Sequence, residues 1–485
     1  AAANWVGDIV PPNSKTVIFY TGLDSGATID LNGNRQAAGL NFNDQADIPL
    51  VFTGNRLTLG TNGIGIHADS GGAHTLACVV QLNATQTWTN ESDAVFTAAG
   101  VIQGAVPLHI VGPGRMAFSA NNTFSNGLYL YSGGLQLSAS TNAMGAGALM
   151  IGTNATLELN GAFNWRPVAA TLYGTGTNDA GAIRQVSTGL GQWRGDITLG
   201  ADSKIAVPIG TFATFGNLLA DTNTLYITNA SSFTMEAGQL TGSKTVGDGA
   251  LFKSGAGGLF LRGATLAGSI VVDQGALRLV ESLTDGDGLL TLRNGTSLTA
   301  SNSAARSVAK PLAIEGNVIL GYQGTYSGAL TLDSTVDLTG ESRTLYVSNT
   351  VTAAGAIDNG GLVKMGMATM TVSAVNTYLG DTTVGEGVLV VSGSSAGSAH
   401  TVAAAGTLRG AGTVGPLTIA GTVDPANAAN AAGTLNAGAV TLNNGGILRL
   451  DMPLATNTAG TDWDLLVSSG EIAVPGTGSF VIQLA

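Results

Sequence analysis

A stretch of about thirty residues returns three times in this chain with nearly the same internal spacing, and that repetition limits the possible folds more than any other feature. The first copy runs from Leu108 through Gly112, Gly114, Met116, Phe118, Asn122, Thr123 and Phe124 to Gly134, Leu135 and Leu137. The second runs from Leu251 and Lys253 through Gly255, Gly257, Leu259, Leu261, Thr265 and Gly268 to Gly275, Leu277 and Leu279. The third runs from Leu362 and Lys364 through Gly366, Met370, Val372, Asn376, Thr377, Tyr378 and Gly380 to Gly387, Leu389 and Val391. The first and third copies share one register, and the second is a residue shorter. A unit this short cannot bury its apolar face alone. Stacking on the next copy buries it.

Between its Gly and Asn punctuation the chain alternates apolar and polar residues with period two, as in Arg56–Leu59, Ala155–Leu159, Thr224–Ile227, Ala276–Leu279 and Gly446–Leu450. Such runs are strands with one buried face. No long window carries a helical period. The predicted fold is all-β: a parallel β-solenoid, or β-helix, rod of stacked coils punctuated by Gly and Asn. No Pro-rich, Ser-rich or charged linker divides it, so residues 1–485 read as a single continuous solenoid. Within it, 1–45 form an opening segment, 46–404 the repeat coils with best copies at 107–137, 250–279 and 361–391, and 405–485 the closing coils.

Equivalent places in the repeat predict a core of Leu108, Met116, Phe118, Leu259, Leu261, Met370 and Val372. Gly112, Gly255 and Gly366 are expected at tight corners or positive φ. Asn122 and Asn376 have two readings: side chains turned inward to bond the backbone at a corner, or exposed turn residues.

The spacing of Leu, Lys, Gly, Asn-Thr-Tyr and Gly in the third copy resembles the autotransporter-associated β-strand repeat, found in large exported surface proteins of Gram-negative bacteria. Residues 362–391 match it best. Gly410, Gly412, Thr413 and Val414, with Pro416 to Ile419 and Gly433 to Leu435, resemble the closing coils of such passengers, whose Pro-Gly-Asn-Ser-Pro-Gly stretch is degraded here to Asp424, Pro425, Ala426 and Asn427. Ala3, Asn4 and Trp5, with Leu31 to Asn34 and Leu40 to Asn43, are similar to their opening segment. The resemblance implies a solenoid exposed outside the cell, exported through a signal peptide not present in these residues.

Composition excludes several functions. Charged residues are 10% of the chain, against roughly a quarter in ordinary soluble domains. A formal charge of −12 without a Lys/Arg cluster leaves nucleic acid and anionic lipid without an electrostatic partner. With 44% hydrophobic residues the chain has the apolar surface to fold, and 71 Gly without a three-residue period exclude collagen. The apolar runs are too short for a transmembrane helix. A single cysteine, Cys78, excludes an intramolecular disulfide or a Cys-based zinc site.

No catalytic, cofactor-binding or metal-binding residue is assigned from the sequence, and no cofactor is expected. His67 and His74 lack a third ligand at metal spacing and read as solvated or turn-packed; His109 reads as an outward strand residue, and His400 completes the four. Asp285 and Asp287, like Asp462 and Asp464, are the densest acidic pairs and read as turns. Trp5, Trp88, Trp165, Trp193 and Trp463 read as buried or interfacial anchors rather than sugar-stacking platforms. The Asp-Asp, Gly-His-Gly and Arg-Ile-Lys clusters of solenoid glycan-cleaving enzymes are missing, so no enzymatic activity is expected.

The leading expectation is an extracellular structural protein, a solenoid of a cell-surface or secreted filament. Neither Ala1–Val6 nor Ser479–Leu484 looks like a polar cap, so the ends are expected to be covered, by another copy in a head-to-tail array or by a further part of a longer chain. The alternatives are an adhesin passenger displayed from the outer membrane, and a protein that binds or cleaves a cell-surface glycan or meets a ligand on a host or neighbouring cell.

Overall fold

In the computed structural model, residues 14–485 are described except for 21–25, 44–45, 139–140, 163, 166–167, 237–238, 243–250, 263–264, 267, 285–286, 323, 454–457, 475 and 477. The expectations at Ala1–Val6 and Asp285, and for the side chain of Trp165, lie outside these residues. The chain divides into two compact units, Ala1–Ser243 and Lys244–Ala485. Each is a parallel β-solenoid, and the one helical element among the described residues is the short 3-10 turn Thr177–Asp179.

Coil geometry is clearest in the first unit where three strands make one turn. Ile197–Leu199, Ser203–Val207 and Thr211–Thr214 pair in parallel with Leu218–Asp221, Leu225–Asn229 and Ser232–Glu236 of the next turn. Parallel pairing aligns equal positions, so apolar residues stack on apolar residues from coil to coil. Leu108, Leu128, Leu149, Ala170, Ile197 and Leu218 form one such column. All six are buried. An aromatic cluster fills the interior nearer the start: Phe42 stacks on His74 with centroids 4.1 Å apart, and Trp88 meets Phe96 at 6.0 Å and Phe118 at 5.8 Å.

The second unit builds its column from Leu251, Ile270, Leu290, Leu312, Val336 and Ile357. Another joins Leu259, Leu277, Leu298 and Leu320. Toward its end a separate four-stranded parallel sheet contains Ser394–Ser395, Thr413–Val414, Thr434–Ala437 and Leu465–Ser468. All seven residues expected in the core are buried, from Leu108 to Val372. Burying a Leu or Val side chain fully contributes about 1.5–3 kcal/mol relative to leaving it exposed, which makes these ladders the main cohesion of each stack.

The repeat glycines occupy corners. Gly112 has φ +101° and Gly366 φ +80°, and a Cβ at either would collide with the carbonyl oxygen of the previous coil, Asn90 and Val347 respectively. Only glycine meets both demands, the left-handed backbone and the close approach.

Candidate functional site

At the corners, the repeat motif becomes hydrogen-bond geometry. The amide of the corner glycine donates to a side chain of the next coil in all three copies: Gly112 to Ser132 Oγ at 2.9 Å, Gly255 to Gln274 Oε1 at 3.2 Å and Gly366 to Glu386 Oε2 at 3.1 Å. The lysine two residues earlier in the second and third copies is fully buried. Lys253 Nζ donates to the carbonyls of Ser254, Gly255 and Gln274, and Lys364 Nζ to those of Gly366 and Glu386. Burial pushes both ammonium groups down to about 8. These lysines tie one corner to the next, and the sequence offered only their spacing as a sign.

Asn122 and Asn376 resolve to the inward reading, both buried. Ile102 N donates to Asn122 Oδ1 at 2.8 Å, while Asn122 Nδ2 reaches Ala143 O. Ile357 N donates to Asn376 Oδ1 at 2.9 Å, and Asn376 Nδ2 donates to Ser394 O at 3.0 Å.

Two buried Ser–His pairs look like catalytic chemistry and are arranged otherwise. At His74, Nδ1 accepts the Leu50 amide, so Nε2 carries the proton and faces Ser70 Oγ, whose own proton goes to Ala46 O. That histidine cannot take the serine proton. At His400, Nδ1 donates to Ser398 O at 2.9 Å and Nε2 accepts from Ser395 Oγ at 3.0 Å, the polarity of a nucleophile and its base. Both residues are only 1% exposed, so no substrate atom reaches them. Burial pushes both histidines down to about 4. His67 is exposed with its Nδ1 3.7 Å from Asp69, and His109 is a half-exposed outer strand residue.

Asp462 and Asp464 are more than a turn pair. Asp464 gathers with Asp424 and Asp451, all buried, with one ligand-type oxygen from each within 4.8 Å of the others. Arg409 Nε lies 3.0 Å from Asp424 Oδ2 and Arg449 Nε 2.9 Å from Asp451 Oδ1, so two cations offset three acids. Asp464 accepts the Gly433 and Asp451 amides, and Asp451 Oδ2 accepts that of Asn430. These contacts hold the closing coils together, while Asp424 Oδ1 has no hydrogen-bond partner and Asp451 Oδ1 meets Arg449 Nε as an ion pair without one. Asp287 is exposed. Trp88 and Trp193 are fully buried, and Trp463 is half-buried.

A shallow cleft of about 480 Å³ opens beside the third repeat, lined by Glu341, Asn359, Leu379 and Asp381 among others. Asp337 below it is spent on structure, accepting the Thr339 amide at 2.6 Å and Asn359 Nδ2 at 3.0 Å. No histidine lines this cleft. No helix of the described residues is long and apolar enough to cross a membrane, a statement that leaves crossing by strands untouched.

No family model matches the chain, and neither a curated protein nor a solved structure matches it.

Proposed function

We propose that this is a non-enzymatic structural protein of the cell exterior, an exported solenoid that associates end to end. One observation carries the reading. The strand Val481–Leu484 pairs with Ile447–Leu450 and exposes all four of its residues, Val481 at 46%, Ile482 at 61% and Leu484 at 64% among them. Ile472, which pairs with Val440 in the closing coils, is 57% exposed. A strand with exposed apolar side chains is a template for another strand; supplied by a second copy, that strand makes a heterologous contact that extends into a filament, and supplied by further residues of a longer chain, it continues the solenoid.

Supporting the structural role, the titratable groups drawn together in the core hold coils to each other, and the low charge gives little repulsion along a stack. The repeat spacing supports export by resemblance to surface passengers. Sedimentation of the purified chain at rising concentration tests the association. Growing species that disappear with Ile482→Lys are expected; a strictly monomeric wild type at high concentration refutes it. Cleavage of a polyuronate, abolished by one Asp→Asn change, would refute the non-enzymatic part.

A further inference from the structure

One outer column of the first unit carries aromatic rings between threonines and ends on the exposed Leu219. The column Thr87, His109, Tyr129, Met150, Thr171 and Thr198 runs from coil to coil beside the buried leucines. Tyr131 and Tyr173 directly follow the aligned core residues Leu130 and Leu172, which are joined through Ile151 of the intervening coil. They stand two coils apart, about 9.6 Å along the stack.

Both tyrosines are open to solvent, Tyr131 at 43% and Tyr173 at 39%, and both are braced. The Tyr131 ring lies nearly parallel to Tyr129, at 18° with centroids 6.4 Å apart, and His109 meets both rings at 5.0 and 5.6 Å. Tyr173 rests on glycine: a Cβ at Gly200 would collide with its Cε1 and Cδ1. Aromatic side chains cover on the order of 150–250 Å² each, so the two tyrosines offer on the order of 150 Å² of open surface. A stable protein interface needs roughly 800 Å² per partner.

We propose that Tyr131 and Tyr173 form a stacking platform for an extended, neutral β-(1→4)-linked oligosaccharide. The two rings alone are far smaller than the area a protein interface buries, and their two-coil spacing suits alternate sugars of such a polymer. Apolar sugar faces stack on the rings, and the hydroxyls of Thr87, Thr171 and Thr198 continue the columns as hydrogen-bond partners. No acid, lysine or arginine stands in the column from Thr87 to Thr198, so an anionic glycan finds no counter-charge there. The platform does not depend on end-to-end association, since it lies on the side of the coils.

Isothermal titration of the full chain with cellohexaose and with chitohexaose tests this. Saturable binding of at least one is expected. Tyr131→Ala and Tyr173→Ala should each weaken it about three- to tenfold, with Tyr→Phe at either site within about twofold of wild type. Matched thermal melts establish that the variants fold. Failure of wild type to bind either sugar at millimolar concentration, or Ala variants that bind like wild type, overturns the platform. So does a change in self-association in place of a change in sugar binding, since that outcome assigns the patch to a protein partner.

Discussion

Oδ1 of Asn376 accepts the amide of Ile357 one coil back, while its Nδ2 donates to the carbonyl of Ser394 one coil ahead. One buried side chain thus joins three successive coils, and Asn122 does the same between Ile102 and Ala143. Asn376→Ala leaves the Ile357 amide facing a methyl group. A buried donor without a partner costs about 1–3 kcal/mol. The expected result is a lowered urea midpoint with faster hydrogen exchange at Ile357, and Asn122→Ala should act likewise at Ile102. Unchanged exchange at both amides would show that the clip contributes nothing.

The buried lysines give stability a rising limb at alkaline pH. Lys253 and Lys364 are held down to about 8 by burial against 10.5 when free. Between these values the unfolded chain binds more protons than the folded one, so raising the pH favours folding. The neutral amines keep two N–H donors for the corner carbonyls. Cys78, pushed up by burial from 9.0 to about 11, and Tyr378, pushed up from 10.0, pull the other way in wild type and variant alike, so the urea midpoint of wild type relative to Lys253→Met with Lys364→Met should climb between pH 8 and pH 10.5. A wild-type midpoint that falls as much as that of the double variant would refute this.

Period-two alternation and the recurrence of glycine made the solenoid legible, because parallel stacking repeats one environment at every coil. The core residues followed from equivalent places: Leu261 and Val372 are buried where their repeats put them. The corner lysines were visible as a spacing only. A charged residue ordinarily signals a solvated face, and nothing local reveals that Lys253 is enclosed by three carbonyls. Asp424, Asp451 and Asp464 were harder still. They converge because different coils bring them together, and no regular spacing marks the set. His400 was hidden for the same reason, its partners Ser395 and Ser398 being ordinary turn residues in the sequence.

Leu261 is 4% exposed in a column with Leu279 and Ala300. Leu261→Ala should cost about 2–5 kcal/mol, since a cavity is added to the lost transfer energy. Coils contact mainly their neighbours, so the damage should stay local. Hydrogen exchange should accelerate around Gly258–Arg262 and Ala276–Leu279 and remain slow in distant coils of the same unit. Uniform acceleration throughout that unit would show that its coils unfold together.

Asp424 supplies a pH dependence of opposite sign to that of the lysines. Its carboxyl is pushed up to about 6, first by burial, with Asp451 and Asp464 adding repulsion against the opposing pull of Arg409. Between 3.8, the ordinary value, and about 6 the folded protein therefore holds a proton that the unfolded chain releases. The resulting stabilisation is fully present below 3.8 and is lost as pH rises through 6. A proton also gives Asp424 Oδ1, which lacks a donor, a hydrogen to share with the neighbouring acids. His74 and His400, held at about 4, work the other way, adding stability as pH rises toward 6.5. Wild type alone therefore confounds the two trends, and the comparison must be made against Asp424→Asn, which keeps both histidines and cannot ionise at that position. The stability of wild type relative to this variant should decline by on the order of 2 kcal/mol between pH 4 and pH 7. Denaturant midpoints measured in parallel across that range check it. A difference that stays constant, or grows in favour of wild type, would mean that Arg409 keeps Asp424 ionised throughout and that the three acids share no proton.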